Sequence, residues 1–229
     1  LESFLRIRRA DGSVDSFSDV LAAADETGHA LLLERETLNA ACAQLHSWSN
    51  SLPGHTPMVT VNISRRQLFH PALIAHLMKA LATSGADPSR LWFEVPESAF
   101  NEDPDAAVAV LQRLADWGVR VAVDDFGSCL APLHHLLHLP IGMIKLASKL
   151  TAAALSPGRQ LAVLEALLDL GNKLGVAIAA QGIQTPEQLA ALSRMGCPLG
   201  QGPLFSSALD PDAALELARA GHWELAQRT

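Results

Sequence analysis

Cysteine is scarce in this chain. There are three, Cys42, Cys129 and Cys197. The number is odd and the spacing is not that of metal ligands, so a reduced, cytoplasmic chain is expected. Basic residues are also short. Lys and Arg total 17 against 24 Asp and Glu, a formal net charge of −7. Sequence-independent nucleic-acid binding needs a basic face, so a polymeric nucleic acid is not an expected partner. No apolar run reaches membrane-spanning length, and the start lacks a signal-peptide pattern. Membrane insertion is therefore not expected. A glycine-rich dinucleotide turn and a P-loop are both missing, which argues against the common nucleotide folds. What is present is apolar mass: 49% hydrophobic residues in 229, enough for one large domain or two small ones. Residues 1–229 are read as a single domain. The chain opens at Leu1-Glu2 rather than Met, and a longer protein is expected around it.

Short β-rich runs alternate with helical patterns. Strands are predicted at 2–8, 58–64, 91–96, 120–125, 143–147, 175–180 and, weakly, 199–205. Helices are predicted at 17–48, 66–84, 104–117, 159–173, 186–195 and 210–220. Thr185-Pro186-Glu187 has an N-cap followed by Pro at the first helical position. Gly118, Gly175 and Gly196 stand where left-handed residues close helices. Repeated βα units with near-continuous apolar strands indicate a parallel sheet covered by helices. Six or more such units favour a (β/α) barrel.

Polar residues collect at one end of these strands: Asn62, Glu94 and Glu97, Asp124 and Asp125, Lys145, Gln181 and Gln201. In a barrel those ends share one rim, where active sites are built. Two adjacent aspartates are costly, since like charges repel. Ligand-type side chains at the ends of six strands are hard to explain as capping alone and point to one common site.

In order along the chain, Glu2-Ser3-Phe4-Leu5-Arg6, Asn62-Ile63-Ser64, Glu94-Val95-Pro96-Glu97-Ser98, Asp124-Asp125-Phe126-Gly127, Lys145 and Gln201-Gly202 resemble the motifs of the EAL-domain family. These are bacterial phosphodiesterases and receptors of cyclic di-GMP. The resemblance implies an α/β fold, a modified (β/α)8 TIM-like barrel. Its first strand runs antiparallel and would lie mostly before Leu1. It also implies the C-terminal part of a multidomain signalling protein. Active members hold two Mg2+ or Mn2+ ions, which clamp the attacking and leaving oxygens. Carried over, Glu2, Asn62, Glu94 and Asp124 would be metal ligands, with Asp125 reaching the second ion. Lys145 would orient water or neutralise the transition state, and Glu97 would anchor the loop after Gly127.

The chain departs from that pattern in three places. The general-base glutamate is replaced by Gln181 in Gln181-Gly182-Ile183-Gln184; an amide cannot take a proton near neutral pH. Ala147 stands where the family has an Asp. Ser128-Cys129-Leu130-Ala131-Pro132 replaces a loop that normally carries glycine at the Cys129 position. A catalytically inactive receptor is therefore expected, with no catalytic residues and the metal positions vestigial. No cofactor is expected, Mg2+ or Mn2+ entering only with residual activity. Cyclic di-GMP would be held by Glu2, Phe4, Leu5, Arg6, Glu34, Arg66, Asp124, Gln201, Gly202, Pro203 and Phe205. Arg6 can fork onto a phosphate, and Phe4 or Leu5 can cover a guanine face. Expected protein partners are other domains of the same chain, a PilZ-type adaptor or a second copy. Pili, motility or biofilm behaviour would be the output. Two alternatives stay open: a scaffold that binds neither nucleotide nor metal, and a slow metal-dependent phosphodiesterase.

His134 and His138, four apart in LHHLLHL, are read as an ordinary helix face. Trp48, Trp92, Trp117 and Trp223 are read as packing. Asp103 to Asp105 is read as a charged helix start.

Overall fold

The computed structural model describes residues 1–4, 6–8, 11–15, 20, 24, 28–101, 103–128 and 139–220. They fall into two compact units. Unit 1 comprises residues 1–95 and 109–120, and unit 2 residues 96–108 and 121–229.

In unit 1, β1 (Glu2–Ser3) pairs parallel with β4 (Val59–Asn62), which pairs parallel with β5 (Leu91–Pro96). The helix α1 (Ala30–Ser51) turns Leu38, Ala41, Cys42, Leu45 and Trp48 inward. The three-to-four spacing of these residues makes one apolar stripe. Burying one such leucine fully is worth about 1.5–3 kcal/mol, and Leu38 has no exposed surface at all. Burial also pushes the Cys42 thiol up to about 11. It stays protonated and unreactive near neutral pH.

Two predicted elements of unit 1 are broken by local chemistry. Residues 2–8 do not form one strand. Asp11 accepts from the backbone N–H of Ser13 at 2.9 Å, and Gly12 takes φ +85°. This turn folds β2 (Ile7–Arg8) back onto β3 (Val14–Asp15) as an antiparallel pair. The predicted helix 66–84 is two helices, α2 (Arg65–Leu68) and α3 (Leu73–Ser84). Pro71 between them lacks an N–H and pushes His70 out of helical geometry. Ser64 caps α2 by accepting from Gln67 N–H at 3.1 Å. The predicted helix 17–48 gives α1, whose end is Ser51; most of residues 16–27 lie outside the described residues.

The helix α4 (Pro104–Asp116) starts where Asp103 accepts from the backbone N–H of Ala106 at 3.0 Å, as the charged start suggested. Trp48 and Trp92 are packed inside, but Trp117 is 42% exposed and is not a packing residue. It sits at the helix end, just before Gly118 (φ +81°). Trp223 lies outside the described residues.

In unit 2, β6 (Arg120–Phe126), β7 (Met143–Leu146), β8 (Ala177–Ala180) and β9 (Leu199–Gly200) pair in that order, all parallel. The helices α5 (Ser148–Ala152), α6 (Arg159–Leu174), α7 (Pro186–Arg194) and α8 (Pro211–Ala220) follow the strands. Thr185 and Gln188 form a reciprocal capping box at the start of α7. Gly175 closes α6 at φ +67°. The weak strand predicted at 199–205 stops at Gly200. Pro203 has no N–H for a ladder, and Gly202 is pressed onto the backbone of Ile183, where a Cβ would clash with its N and O. In both units helices cover parallel strands, the α/β arrangement expected. The first strand described, β1, pairs parallel with β4; the antiparallel strand that the resemblance implies before Leu1 lies outside these residues.

Candidate functional site

The polar residues that the sequence put at strand ends fall into two sets, one in each unit. In unit 1, β4 and β5 are in register with Asn62 beside Glu94. Asn62 Nδ2 donates to Glu2 Oε1 at 2.9 Å, which ties the end of β4 to β1. Glu94 is 1% exposed. Phe4 and Arg6 lie just beyond β1. Phe4 is 45% exposed, and the Arg6 guanidinium carbon stands 5.3 Å from its ring centroid. That is a cation–π contact between two exposed side chains. Leu5 lies outside the described residues. Glu34 sits on the buried stripe of α1, whereas Arg66 on α2 is exposed.

Unit 2 explains the adjacent aspartates. Along β6 and β7, Val123 faces Ile144 and Phe126 faces Leu146. Three steps on β6 thus match two on β7, so Asp124 and Asp125 together stand opposite Lys145. This is a β-bulge. Asp125 takes φ +52°, in the left-handed region, the one such non-glycine among the described residues. Aspartate is among the few side chains that tolerate it. Asp125→Gly is therefore expected to leave stability unchanged or raise it slightly, while Asp125→Val costs roughly 1–2 kcal/mol. Urea unfolding of the two variants checks this; a Val variant as stable as the native chain would show no strain there.

Around the bulge, Gln181 just past β8 donates from Nε2 to Asp124 Oδ1 at 2.9 Å. Lys145 Nζ lies 3.9 Å from the same oxygen. Lys145 is 2% exposed, so its charge must be compensated within the protein. Glu97, also 2% exposed, accepts the backbone N–H of Gly127 at 3.0 Å. That ties down Gly127, at the start of the loop after β6, as the resemblance implied for Glu97. The rest of that loop, residues 129–138, with Cys129, Leu130, Ala131, Pro132, His134, His135 and His138, lies outside the described residues. Ala147, buried, donates its backbone N–H to Phe126 O at 3.0 Å. Gln201 and Gly202 follow β9, Pro203 is exposed and Phe205 is half-buried. Ile183 donates its backbone N–H to Gln201 O, and Leu204 donates to Ile183 O.

The sequence profile of the EAL domain matches residues 1–208.

The chain belongs to the EAL domain family.

Among its relatives is the bifunctional diguanylate cyclase/cyclic di-GMP phosphodiesterase MucR of Pseudomonas aeruginosa. It is 29% identical over 216 residues, covering 94% of this chain and 31% of MucR. The oxygen sensor protein DosP of Escherichia coli is 33% identical over 186 residues, covering 81% of this chain and 23% of DosP. The chain thus spans less than a third of either protein's length. A structure of the MucR phosphodiesterase in complex with c-di-GMP superposes with a TM-score of 0.87 at 28% identity, covering 93% of this chain and 86% of that one. The fold is that of an EAL domain. No helix among the described residues is long and apolar enough to cross a membrane.

In EAL domains the resemblance assigns the residues at these strand ends to divalent cations. The donors suit a hard cation in kind, being carboxylates and an amide. Their arrangement in unit 2 does not suit one. Gln181 turns an N–H, not an oxygen, to Asp124, and an ammonium lies 3.9 Å from the same Oδ1. Among the described residues no three His, Cys, Asp or Glu side chains converge as a cage. The sequence shows that Gln181 cannot accept a proton but not that it is linked to Asp124; that it donates to this acid follows only from the pairing of β7 with both β6 and β8.

Proposed function

We propose that this EAL domain is a cyclic di-GMP receptor that does not hydrolyse its ligand. The observation that carries the reading is the hydrogen bond from Gln181 to Asp124. At the general-base position a donor points at the acid, so no group there can draw a proton from water. The exposed Arg6–Phe4 pair supplies what a base and a phosphate recognise, a π face and a fixed positive charge. The relatives support the choice of nucleotide, since MucR is named as a cyclic di-GMP phosphodiesterase and its phosphodiesterase was solved with c-di-GMP. The output is a changed contact with other domains of the longer protein, an adaptor of PilZ type or a second copy, acting on pili, motility or biofilm. That most of MucR and DosP lies outside the matched region favours an output through neighbouring domains.

A second reading is a slow metal-dependent phosphodiesterase. The retained Glu2, Asn62, Glu94, Asp124 and Asp125 favour it. Calorimetric titration with cyclic di-GMP, first in EDTA and then in Mn2+, separates the two. Binding in EDTA that Mn2+ leaves unchanged supports the receptor. Binding only in Mn2+ supports the enzyme. Binding in neither leaves a pure scaffold.

A further inference from the structure

The surroundings of Asp124 say more than that a base is missing. Its Oδ1 takes a 2.9 Å hydrogen bond from an uncharged amide and lies within an ion pair's reach of a buried ammonium. Lys145 cannot swing to solvent, being 2% exposed. β7 and β8 are in register with Lys145 beside Ala179, which holds Lys145 and the residue after β8 at neighbouring strand ends. A hard divalent cation at Oδ1 would need oxygen ligands around it. It would meet instead the hydrogens of an amide and a positive charge that cannot withdraw.

We propose that Gln181 and Lys145 together stand in for a cation at Asp124, so that this end of β6 is closed to divalent metal ions. Gln181 is the positioning residue: it sets an N–H where a cation would need a further oxygen. The inference deepens the receptor reading and rests on it for its biological sense: a receptor closed to metals would report nucleotide at any Mg2+ concentration. Physically it concerns one atom. Replacing Nε2 with an oxygen turns the donor into a second carboxylate beside Asp124. Two carboxylates then share one ammonium, and a divalent cation relieves their repulsion.

The test is made without nucleotide, on the chain as it stands, with MnCl2 as the probe. For the native chain, calorimetry is expected to show no saturable Mn2+ binding up to millimolar concentration, and the melting temperature to stay level. Gln181→Glu is expected to melt lower than the native chain in EDTA. Saturating Mn2+ should raise its melting temperature by about 5 °C or more. Gln181→Met, similar in size but without donor or charge, is expected to stay silent to Mn2+. Saturable Mn2+ binding by the native chain overturns the proposal, and that titration needs no variant to fold. So does a Gln181→Glu chain that folds and ignores Mn2+. A native chain that refuses both Mn2+ and cyclic di-GMP removes the receptor reading and leaves this inference in place.

Discussion

Cyclic di-GMP incubated with this domain in Mn2+ is expected to remain cyclic. Loss of a general base alone costs ~10²–10⁴ in rate. Here the position is held by Gln181, whose N–H is engaged with Asp124, and Ala147 offers no second acid. Restoring the carboxylate with Gln181→Glu is not expected to restore turnover, because Ala147 and the rewritten stretch 128–132 remain. The measurement is chromatographic separation of the linear dinucleotide over time. Turnover on the order of 1 s⁻¹ or more by the native chain would end the receptor reading. Full activity in Gln181→Glu would show that the base was the only defect. Cation uptake by that variant without turnover is the combined outcome expected.

Arg6→Ala is expected to weaken cyclic di-GMP binding in EDTA by at least tenfold. A charge-assisted contact to a phosphate is worth roughly 1.5–3 kcal/mol, which is one to two decades in dissociation constant. Glu2 accepts from Asn62, Asp124 accepts from Gln181, Glu94 is buried and Asp125 is exposed; as acids, none can attract an anion. Arg6 is the basic residue that the resemblance places on the ligand, and its guanidinium is steadied over Phe4. Phe4→Ala should weaken binding as well, by removing a stacking face and the surface on which Arg6 rests. Titration calorimetry on both variants decides it. An Arg6→Ala domain with native affinity would place the phosphates elsewhere.

Much of the fold could be read from the sequence because its signals are local. Apolar runs ended by Asn62, Glu94, Asp124 and Lys145 are β4 to β7, and Thr185-Pro186 begins a capped helix. The errors came where a single residue overrides a pattern. Pro71 splits an apolar periodicity that runs through it, and Asp11-Gly12 folds back a strand that looked continuous. The bulge at Asp124-Asp125 is harder still. Its signature is one extra residue relative to β7, which exists only once the strands are paired. The same holds for Gln181, whose type can be read in the chain but whose partner is 57 residues away.

The close seating of Gly202 on Ile183 bears on how firmly any ligand would be held. The amides of Ile183 and Leu204 are tied to Gln201 O and Ile183 O, and the space beside Gly202 is filled by backbone. These two amides should exchange with deuterium slowly, unlike those of an ordinary surface turn. Gln201 and Phe205 are then presented on a segment whose conformational entropy was lost during folding. A ligand that touches them meets a preorganised surface, and the gain appears chiefly as a slower dissociation rate.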